Sequence, residues 1–401
     1  MKTNALLIAV CATMLACSNN STVPNRVELP GTVDNEVFAA NVESISVMNL
    51  QMDDDWTLSG FYDLELRFTN NYIYLFDDQQ IRLMCFDQKT GEKLSARTIK
   101  GRGPGELENR NSMFFFGDTL CIQDSWNRVL SYDNCCKFLG IKHEFEKSGV
   151  RPKILGLSSG NYAMLWLVSH PSDTKHIGLI LTDRNFDTIS THFVTPDPNI
   201  YLYAAEAAPY YVNDDTIRFI FPNDNHLYSL CGNKEQCIEF GYENPMTPEI
   251  VMQIMNDFEK QYEYNQYNGG LSESGRFIFL RFGSGTSIDG YYVSMFDKYT
   301  CKAVSISMEE KEGERQTADF VNSIFRQMRV VVTDGKFIYA LCKNNAMASI
   351  LEGNDNLLDD RLKKTQAEYR AYLERNANYI KGLEQEEREV ANVLLKIKLK
   401  D

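Results

Sequence analysis

The sequence predicts an all-β fold, a six-bladed β-propeller, because one turn-and-strand unit recurs six times. Each unit opens with a two-residue turn of Asn, Asp, Ser or Gly and continues with β-branched and aromatic residues, as in NNYIYL at 70–75. The turns stand at Asn71, Asp118, Gly160, Asp215, Gly275 and Gly335, in steps of 47, 42, 55, 60 and 60 residues. Repeats of this length, built from antiparallel strands, are typical of propeller blades.

A second turn follows the first within most units, and it carries an aspartate at Asp87, Asp133, Asp183 and Asp297. The fourth unit has Tyr-Ser-Leu at 228–230 in its place. Each unit therefore reads as one small sheet of three or four strands, which cannot bury both of its faces alone. Stacking the sheets around a ring buries those faces, whereas the alternative is an all-β sandwich with coincidental spacing.

The N-terminus has the pattern of a secretory signal. Lys2 precedes a short apolar run at 5–16, which is too short to span a bilayer. The run ends at Ala16, and a small residue directly before a cysteine resembles a bacterial lipoprotein signal, in which that cysteine is lipidated and becomes the mature first residue. We predict a signal peptide at 1–16 and lipidation at Cys17; the alternative is an ordinary signal cleaved nearby.

The segment after Cys17 predicts a flexible linker and a cellular location. Residues 17–36 are polar and contain Pro24, Pro30 and Gly31, so we expect a flexible linker before a propeller at 37–401. No acidic cluster directly follows Cys17, although such a cluster commonly directs the surface lipoproteins of gut anaerobes to the outside. We therefore expect the protein to be held by a lipid anchor on the periplasmic face of the outer membrane.

The two ends of the chain are predicted to meet in one blade. Residues 42–50 alternate like a strand and precede the first unit, and 393–399 offers a strand to pair with them. Two helices are expected to interrupt the strands. The first spans about 247–262 and begins with Thr-Pro, a favourable helix start. The second spans about 357–380, is amphipathic, and precedes the closing strand.

The sharpest motif in the chain is the loop after the first unit. It consists of Gly101, Arg102, Gly103, Pro104, Gly105 and Glu106. Three glycines in five residues let the backbone adopt positive φ and pass close to a neighbour. Arg102 and Glu106 can bind a ligand at the mouth of the ring or bridge the first two blades, and we favour the bridge.

This loop, the lipoprotein signal and the closing strand resemble the six-bladed β-propeller lipoproteins of gut Gram-negative anaerobes. The first inter-blade loop of that family carries a Gly-Arg-Gly-Pro-Gly-Glu pattern, and it is similar to the loops of NHL and TolB-like propellers. The sequence departs from the family in units three to six, where helices and loops interrupt the pattern. The resemblance implies the fold and the envelope address, but no activity, because most members have none assigned.

Two further groups of residues are candidates for binding or cross-linking. The connection between the third and fourth units carries Tyr201, Tyr203, Tyr210 and Tyr211. Exposed tyrosines there would stack on a sugar or a peptide, or else cover the edge of a blade. Cys231 and Cys237 flank a Gly-Asn-Lys turn and are a candidate disulfide, which an oxidising envelope compartment permits.

The charge and the catalytic residue types limit the classes of function. The net charge of −14 argues against nucleic acid as a partner, because 55 acidic residues outnumber 41 basic ones and leave no net positive charge to neutralise phosphates. The five histidines and ten cysteines show no spacing typical of a zinc site or of a Ser-His-Asp or Cys-His nucleophile. We therefore assign no catalytic, cofactor or metal residue from the sequence, and the oligomeric state stays open.

Two functions remain open at this level. The first is a non-enzymatic scaffold that is held at the membrane by its lipid and binds an envelope protein or a glycan. The alternative is a calcium-dependent hydrolase or lyase acting on a carbohydrate or lactone. Its ion would lie in the central channel, and the candidate ligands at strand ends are Asp77, Asp124, Asn127 and Asp224.

Lipidation at Cys17 can be tested by labelling. Radiolabelled palmitate should enter the wild type but not Cys17→Ala, because the predicted attachment atom is the Cys17 sulfur. Cys11→Ala is the matched control and should label like the wild type, since Cys11 lies inside the predicted signal peptide. Equal labelling of Cys17→Ala and the wild type would contradict the anchor.

Overall fold

The computed structural model describes most of the chain from Arg26 onward. The described residues are 26–51, 64–117, 119–146, 151–166, 175–195, 210–221, 224–254, 260, 263–267, 271–284, 291–307, 317–342 and 393–400, with the single positions 363, 367, 370, 371, 374 and 375. Within them the strands form six separate sheets. The six-bladed propeller predicted from the repeat is confirmed, and each sheet is one blade.

The N-terminal segment contributes four short elements before the first blade. They are β1 (Arg26–Glu28), β2 (Thr32–Val33), α1 (Asn35–Ala40) and β3 (Val42–Asn49). Each of the three strands joins a blade formed much later in the chain.

Blades 1 to 3 each contain four consecutive antiparallel strands. Blade 1 holds β4 (Leu64–Phe68), β5 (Tyr72–Asp77), β6 (Arg82–Asp87) and β7 (Lys93–Thr98). Blade 2 holds β8 (Arg110–Phe116), β9 (Thr119–Asp124), β10 (Arg128–Tyr132) and β11 (Phe138–Glu144). Blade 3 holds β12 (Lys153–Gly156), β13 (Tyr162–Leu165), β14 (His176–Thr182) and β15 (Thr188–Thr195).

Blades 4 to 6 follow the same order with helices between them. Blade 4 holds β16 (Tyr210–Asn213), β17 (Thr216–Phe219), β18 (His226–Cys231) and β19 (Lys234–Gly241), and α2 (Pro248–Ile254) follows. Blade 5 holds β20 (Asn265–Tyr267), β21 (Ser272–Ser274), β22 (Phe277–Ser284), β23 (Tyr291–Asp297) and β24 (Lys302–Ser307), and α3 (Thr317–Gln327) follows. Blade 6 holds β25 (Met328–Thr333), β26 (Ile338–Cys342) and β27 (Val393–Leu399).

The aspartate of the second turn has a structural role in the four units that carry it. Asp87 accepts a hydrogen bond from the backbone N–H of Lys89 at 2.9 Å, and Asp133 accepts one from Cys135 at 2.9 Å. Asp183 and Asp297 accept the equivalent amides two residues further on, each at 2.8 Å. A side chain that closes its own turn in this way fixes the hairpin between the third and fourth strands. The repeat is readable in the sequence because these four hairpins use the same acceptor.

The ring closes in blade 6, where the two ends of the chain meet as predicted. Strand β3 pairs antiparallel with β27, and Leu395 lies opposite Val47 while Ile397 lies opposite Ile45. The fourth strand of this blade therefore comes from the other end of the chain. Blade 6 cannot complete its sheet until both ends are in place, so this pairing locks the circle.

The flexible tether predicted over 17–36 is wrong from Arg26 onward. Strand β1 adds in parallel to β19 at the outer edge of blade 4, and β2 adds in parallel to β24 of blade 5. Val27 and Leu29 are buried in the core between those blades. Because an added edge strand needs only a few apolar residues facing inward, its polar composition resembles that of a linker. Residues 17–25 lie outside the described part of the chain.

The apolar core is divided among the interfaces between blades. Among the described residues, six buried clusters form, and each joins two neighbouring blades. The cluster between blades 1 and 2 contains Tyr74, Leu83, Leu120 and Tyr132, all fully buried. Blade faces are therefore buried by their neighbours, which is what a ring of thin sheets requires.

Three helices with defined bounds occur in the described part of the chain, and two of them were not predicted. α1 and α3 pack on each other through Phe38 and Phe325, whose ring centroids are 5.0 Å apart in an edge-on arrangement. The sequence predicts helices only at about 247–262 and 357–380, so α1 and α3 were missed. The spacing of Val321, Ile324 and Phe325 is the apolar face that could have indicated α3.

The two predicted helices fall partly outside the described residues. α2 lies within the predicted 247–262, and Thr247 Oγ1 accepts the amide of Ile250 at 3.4 Å as an N-terminal cap. Within 357–380 only six positions are described, and all six are helical. The rest of that helix, including its predicted apolar face, lies outside the described residues. None of the helices in the described part of the chain is long and apolar enough to cross a bilayer.

Closure of the ring should depend on the apolar residues of β27. Leu395 is fully buried, and we expect Leu395→Ala to lower the free energy of unfolding by about 2–5 kcal/mol because it leaves a cavity in the closing blade. Leu94→Ala is the matched control, since Leu94 is 45% exposed, and it should change stability by no more than about 0.5 kcal/mol. Urea unfolding measures both, and equal effects would contradict the role of the closing strand.

Candidate functional site

The loop at 101–106 joins β7 to β8 and ties blade 1 to blade 2. The carboxylate of Glu106 accepts the amide of Gly103 at 2.8 Å, and it fills the space that a side chain at Gly101 would need. The Glu106 carbonyl accepts from Arg128 Nη2 at 3.0 Å, and the Gly105 carbonyl accepts from the Tyr132 hydroxyl at 3.0 Å. Glu106 is therefore engaged in the framework between the blades.

Arg102 leaves this framework and points outward. Its Nε donates to Glu108 at 2.5 Å, and its side chain is 75% exposed. The guanidinium lies over the ring of Trp126, 5.6 Å from the ring centroid. Trp126 is itself 45% exposed, which is unusual for so large an apolar ring. The only outward-pointing charge of the loop thus stands beside an exposed aromatic face.

These two side chains line an open pocket, which we call the rim pocket. It has a volume of about 390 Å³ and is lined by Arg102, Trp126, Arg128, Glu144 and Phe145. The inter-blade loop, the β9–β10 turn and the end of β11 all reach the same face of the ring, because alternate ends of antiparallel strands share one face. The pocket therefore lies over blade 2, away from the central channel.

The turn that carries Trp126 is held rigidly. Asp124 is fully buried, and its Oδ1 accepts the amides of Trp126 at 2.9 Å and Arg128 at 2.8 Å. Its Oδ2 accepts from Arg128 Nε at 2.7 Å. Asn127 adopts a left-handed φ of 65°, and its carbonyl accepts the amide of Phe145 at 2.9 Å. The turn and the end of β11 are thus fixed to each other.

Three groups in the rim pocket are not engaged by this framework. They are the terminal nitrogens of Arg102, the indole of Trp126 and the carboxylate of Glu144. None of them forms a hydrogen bond with any other residue that the structure describes. By contrast, Asp124, Arg128 and Glu106 are all bonded within the scaffold. The pocket therefore offers one donor, one aromatic face and one acceptor to a ligand.

Comparisons with known proteins agree with the ring. The DUF5128 family, described as a 6-bladed beta-propeller, matches residues 17–339. The chain belongs to this family. No curated protein matches it.

Solved structures resemble this DUF5128 chain over nearly its full length. A crystal structure of a candidate exported protein from Bacteroides fragilis shares 16% identity, covers 95% of this chain and 100% of its own, and has a TM-score of 0.65. A member of the DUF4221 family from Bacteroides vulgatus shares 10% identity, covers 90% of this chain and 97% of its own, and has a TM-score of 0.53. At these identities the likeness concerns the fold alone.

The acidic residues suggested for a calcium ion do not come together in the DUF5128 ring. Asp77 accepts the amide of Gln80 at 3.1 Å, and Asp124 closes the turn of Trp126. Asp224 accepts from His226 Nδ1 at 2.6 Å, and this hydrogen bond raises the pKa of His226. These aspartates close turns in blades 1, 2 and 4, and Asn127 belongs to the turn of blade 2. No group of three or more metal-binding side chains occurs among the described residues.

Tyr210 and Tyr211 do not belong to an aromatic loop, so that prediction is wrong for both. They lie on β16, the first strand of blade 4. The Tyr210 hydroxyl accepts from Arg67 Nη2 of blade 1 at 2.8 Å. The buried Tyr211 hydroxyl donates to the carbonyl of Glu273 at 3.3 Å. Their positions are set by contacts inside the ring. Tyr201 and Tyr203 lie outside the described residues.

The middle of the ring contains a polar cluster. Arg67 forms an ion pair with Glu65, and Arg110 pairs with both Glu65 and Asp78. Burial lowers the pKa of Arg110 to about 10, so this side chain remains charged at neutral pH. Blades 1 and 4 are not neighbours, so the bond from Arg67 to Tyr210 must cross the channel. The cluster connects opposite sides of the ring.

The candidate disulfide between Cys231 and Cys237 is excluded by the register of their hairpin. Cys231 lies opposite Lys234, whereas Cys237 lies opposite Tyr228. The two cysteines are thus offset along the strands and point to opposite faces of the sheet. Both are free thiols. The turn between β18 and β19 contains only residues 232 and 233, whereas Cys231 and Cys237 could face each other only if all five residues between them formed the turn.

The inter-blade loop should be more sensitive to an added methyl group than an open turn. A Cβ at Gly105 would lie 2.5 Å from Phe138, whereas a Cβ at Gly117 would meet nothing within 4 Å. Both glycines have positive φ, so Gly117→Ala should cost about 1–2 kcal/mol from backbone strain alone. Gly105→Ala should cost about 1–3 kcal/mol more because of the clash. Urea unfolding separates the two, and equal losses would contradict the packing of this loop.

Proposed function

We propose that this protein is an exported, lipid-anchored scaffold of the outer membrane that binds an envelope protein or glycan in the rim pocket. The observation that carries the proposal is the set of three unengaged groups at Arg102, Trp126 and Glu144. An exposed tryptophan between an arginine and a glutamate is the composition typical of a recognition surface.

The frame around the rim pocket supports a binding role. The Trp126 turn is held by the buried Asp124, and the opposite wall is joined to it through the amide of Phe145. A site held by its framework loses little conformational freedom when a ligand arrives, which favours affinity. The groups that hold the frame are distinct from those that face the ligand, so ligand contacts can vary without loss of the fold.

The proposed location rests on the sequence and on the short stretch of chain between the ring and the predicted lipid anchor. The apolar signal and Cys17 support export and lipidation. The name of the similar Bacteroides fragilis protein also describes a candidate for export. Since β1 begins at Arg26, only residues 17–25 separate the ring from Cys17. A chain of that length reaches at most about 30 Å, so the ring would stay close to the membrane surface.

Photocrosslinking in intact cells tests the binding role. Benzoylphenylalanine at Glu146, an exposed position beside Glu144, should form adducts with the bound partner, because its ketone inserts into C–H bonds of proteins and glycans alike. The adducts should disappear in Trp126→Ala. They should persist in Tyr299→Ala, the matched control, because Tyr299 is a similarly exposed ring in blade 5. No adduct, or adducts insensitive to Trp126→Ala, would overturn the proposal.

A further inference from the structure

The unengaged groups of the rim pocket have a specific chemical complement. Trp126 offers a flat apolar face, Arg102 offers hydrogen-bond donors, and Glu144 offers acceptors. A pyranose sugar carries an apolar C–H face together with hydroxyls that both donate and accept. We infer that the rim pocket binds a neutral pyranose unit of a glycan; this inference rests on the proposed function and specifies its ligand.

Trp126 provides the stacking surface for such a ring. Its side chain is 45% exposed, although Asp124 could hold the same turn whatever residue followed it, because the bond is made to the backbone amide. The framework therefore does not require an indole here. An aromatic ring that is fixed at its backbone and open at its face suits a flat amphipathic ligand, since it loses little freedom on binding.

Arg102 and Glu144 provide the polar contacts at either side of the ring. Arg102 is anchored through Nε to Glu108, which leaves its terminal nitrogens to donate outward. Glu144 is the last residue of β11 and is exposed. A sugar hydroxyl can accept from the guanidinium while its neighbour donates to the carboxylate. Such charge-assisted bonds are stronger than bonds between neutral groups.

The charges around the pocket disfavour an anionic ligand. The charge of Arg102 is balanced by Glu108, and that of Arg128 is balanced by Asp124. Glu144 is left without a balancing partner among the described residues. A uronic acid or a phosphate would bring its negative charge close to Glu144 and be repelled.

The size of the pocket favours a sugar over a folded protein. At about 390 Å³, the pocket lies near the lower end of the range of about 300–1,000 Å³ for small-molecule sites. A stable protein interface buries roughly 800 Å² on each partner, far more than five lining residues provide. Its open side, marked by the 75% exposure of Arg102, would let the remainder of a glycan chain extend into solvent.

A glycan array followed by calorimetric titration tests the inference. The full-length lipidated protein in detergent micelles is applied to neutral glycans and to uronic-acid glycans, and the strongest hits are titrated. We expect binding to neutral glycans. Trp126→Ala should weaken it by about tenfold or more, as expected for loss of a central aromatic contact. Trp126→Phe should retain most of the affinity, and Tyr299→Ala should match the wild type.

Glu144→Gln provides a test of the charge argument. This variant keeps the shape of the side chain and one acceptor oxygen but removes the charge, so it should narrow the gap in affinity between neutral and uronic-acid glycans. If the wild type binds uronic acids as tightly as neutral sugars, or binds no neutral glycan, the inference is overturned.

The two proposals fail in different ways. If no sugar binds but the adducts at Glu146 still depend on Trp126, the scaffold stands and its ligand is a peptide. If both the sugar and the adducts are absent, the rim pocket is not a binding site.

Discussion

Face-to-face packing of neighbouring blades is the constraint on which the rest of this structure depends. No blade can bury both of its faces alone, and each of the six apolar clusters belongs to an interface between two blades. The circle must therefore be complete before any blade is fully stable. The pairing of β3 with β27 completes it with residues from both ends of the chain, so stability of the whole ring is linked to a single antiparallel ladder.

Charged and polar contacts connect the blades in addition to the apolar packing. Between blades 4 and 5, the buried Glu273 accepts from Arg218 Nε and Lys298 Nζ, each at 2.5 Å. Burial alone would raise the pKa of Glu273, but the two positive charges outweigh it and hold that pKa below its ordinary value. The Arg67–Tyr210 bond connects blades that are not adjacent. These ties fix the positions of blades relative to one another, which packing alone specifies less sharply.

The rim pocket forms because some residues of each loop hold the backbone while their neighbours face the solvent. In the β9–β10 turn, Asp124 and Arg128 hold the backbone, whereas Trp126 between them makes no contribution to that frame beyond its amide. In the inter-blade loop, Glu106 binds inward and Arg102 points outward. Because adjacent positions on a tight turn point in different directions, one short segment serves both the fold and recognition. The pocket is therefore rigid without being filled.

The sequence by itself determined the number of blades, their hairpins and the meeting of the chain ends. These features repeat local rules: an aspartate closes the second turn of four units, as Asp87 does, and turn residues followed by β-branched and aromatic residues mark the strands. Only the tertiary structure decided the roles of Arg26–Glu28, α3 and Tyr210. Arg26–Glu28 and Tyr210 each contact a partner more than a hundred residues away. α3 is marked only by an amphipathic face, without a local start or stop signal. The rim pocket belongs to the second group. Trp126 lies in the turn before β10 and Glu144 at the end of β11, 18 residues later, and the distance between them in space is set by the register of that hairpin, which the local pattern does not specify.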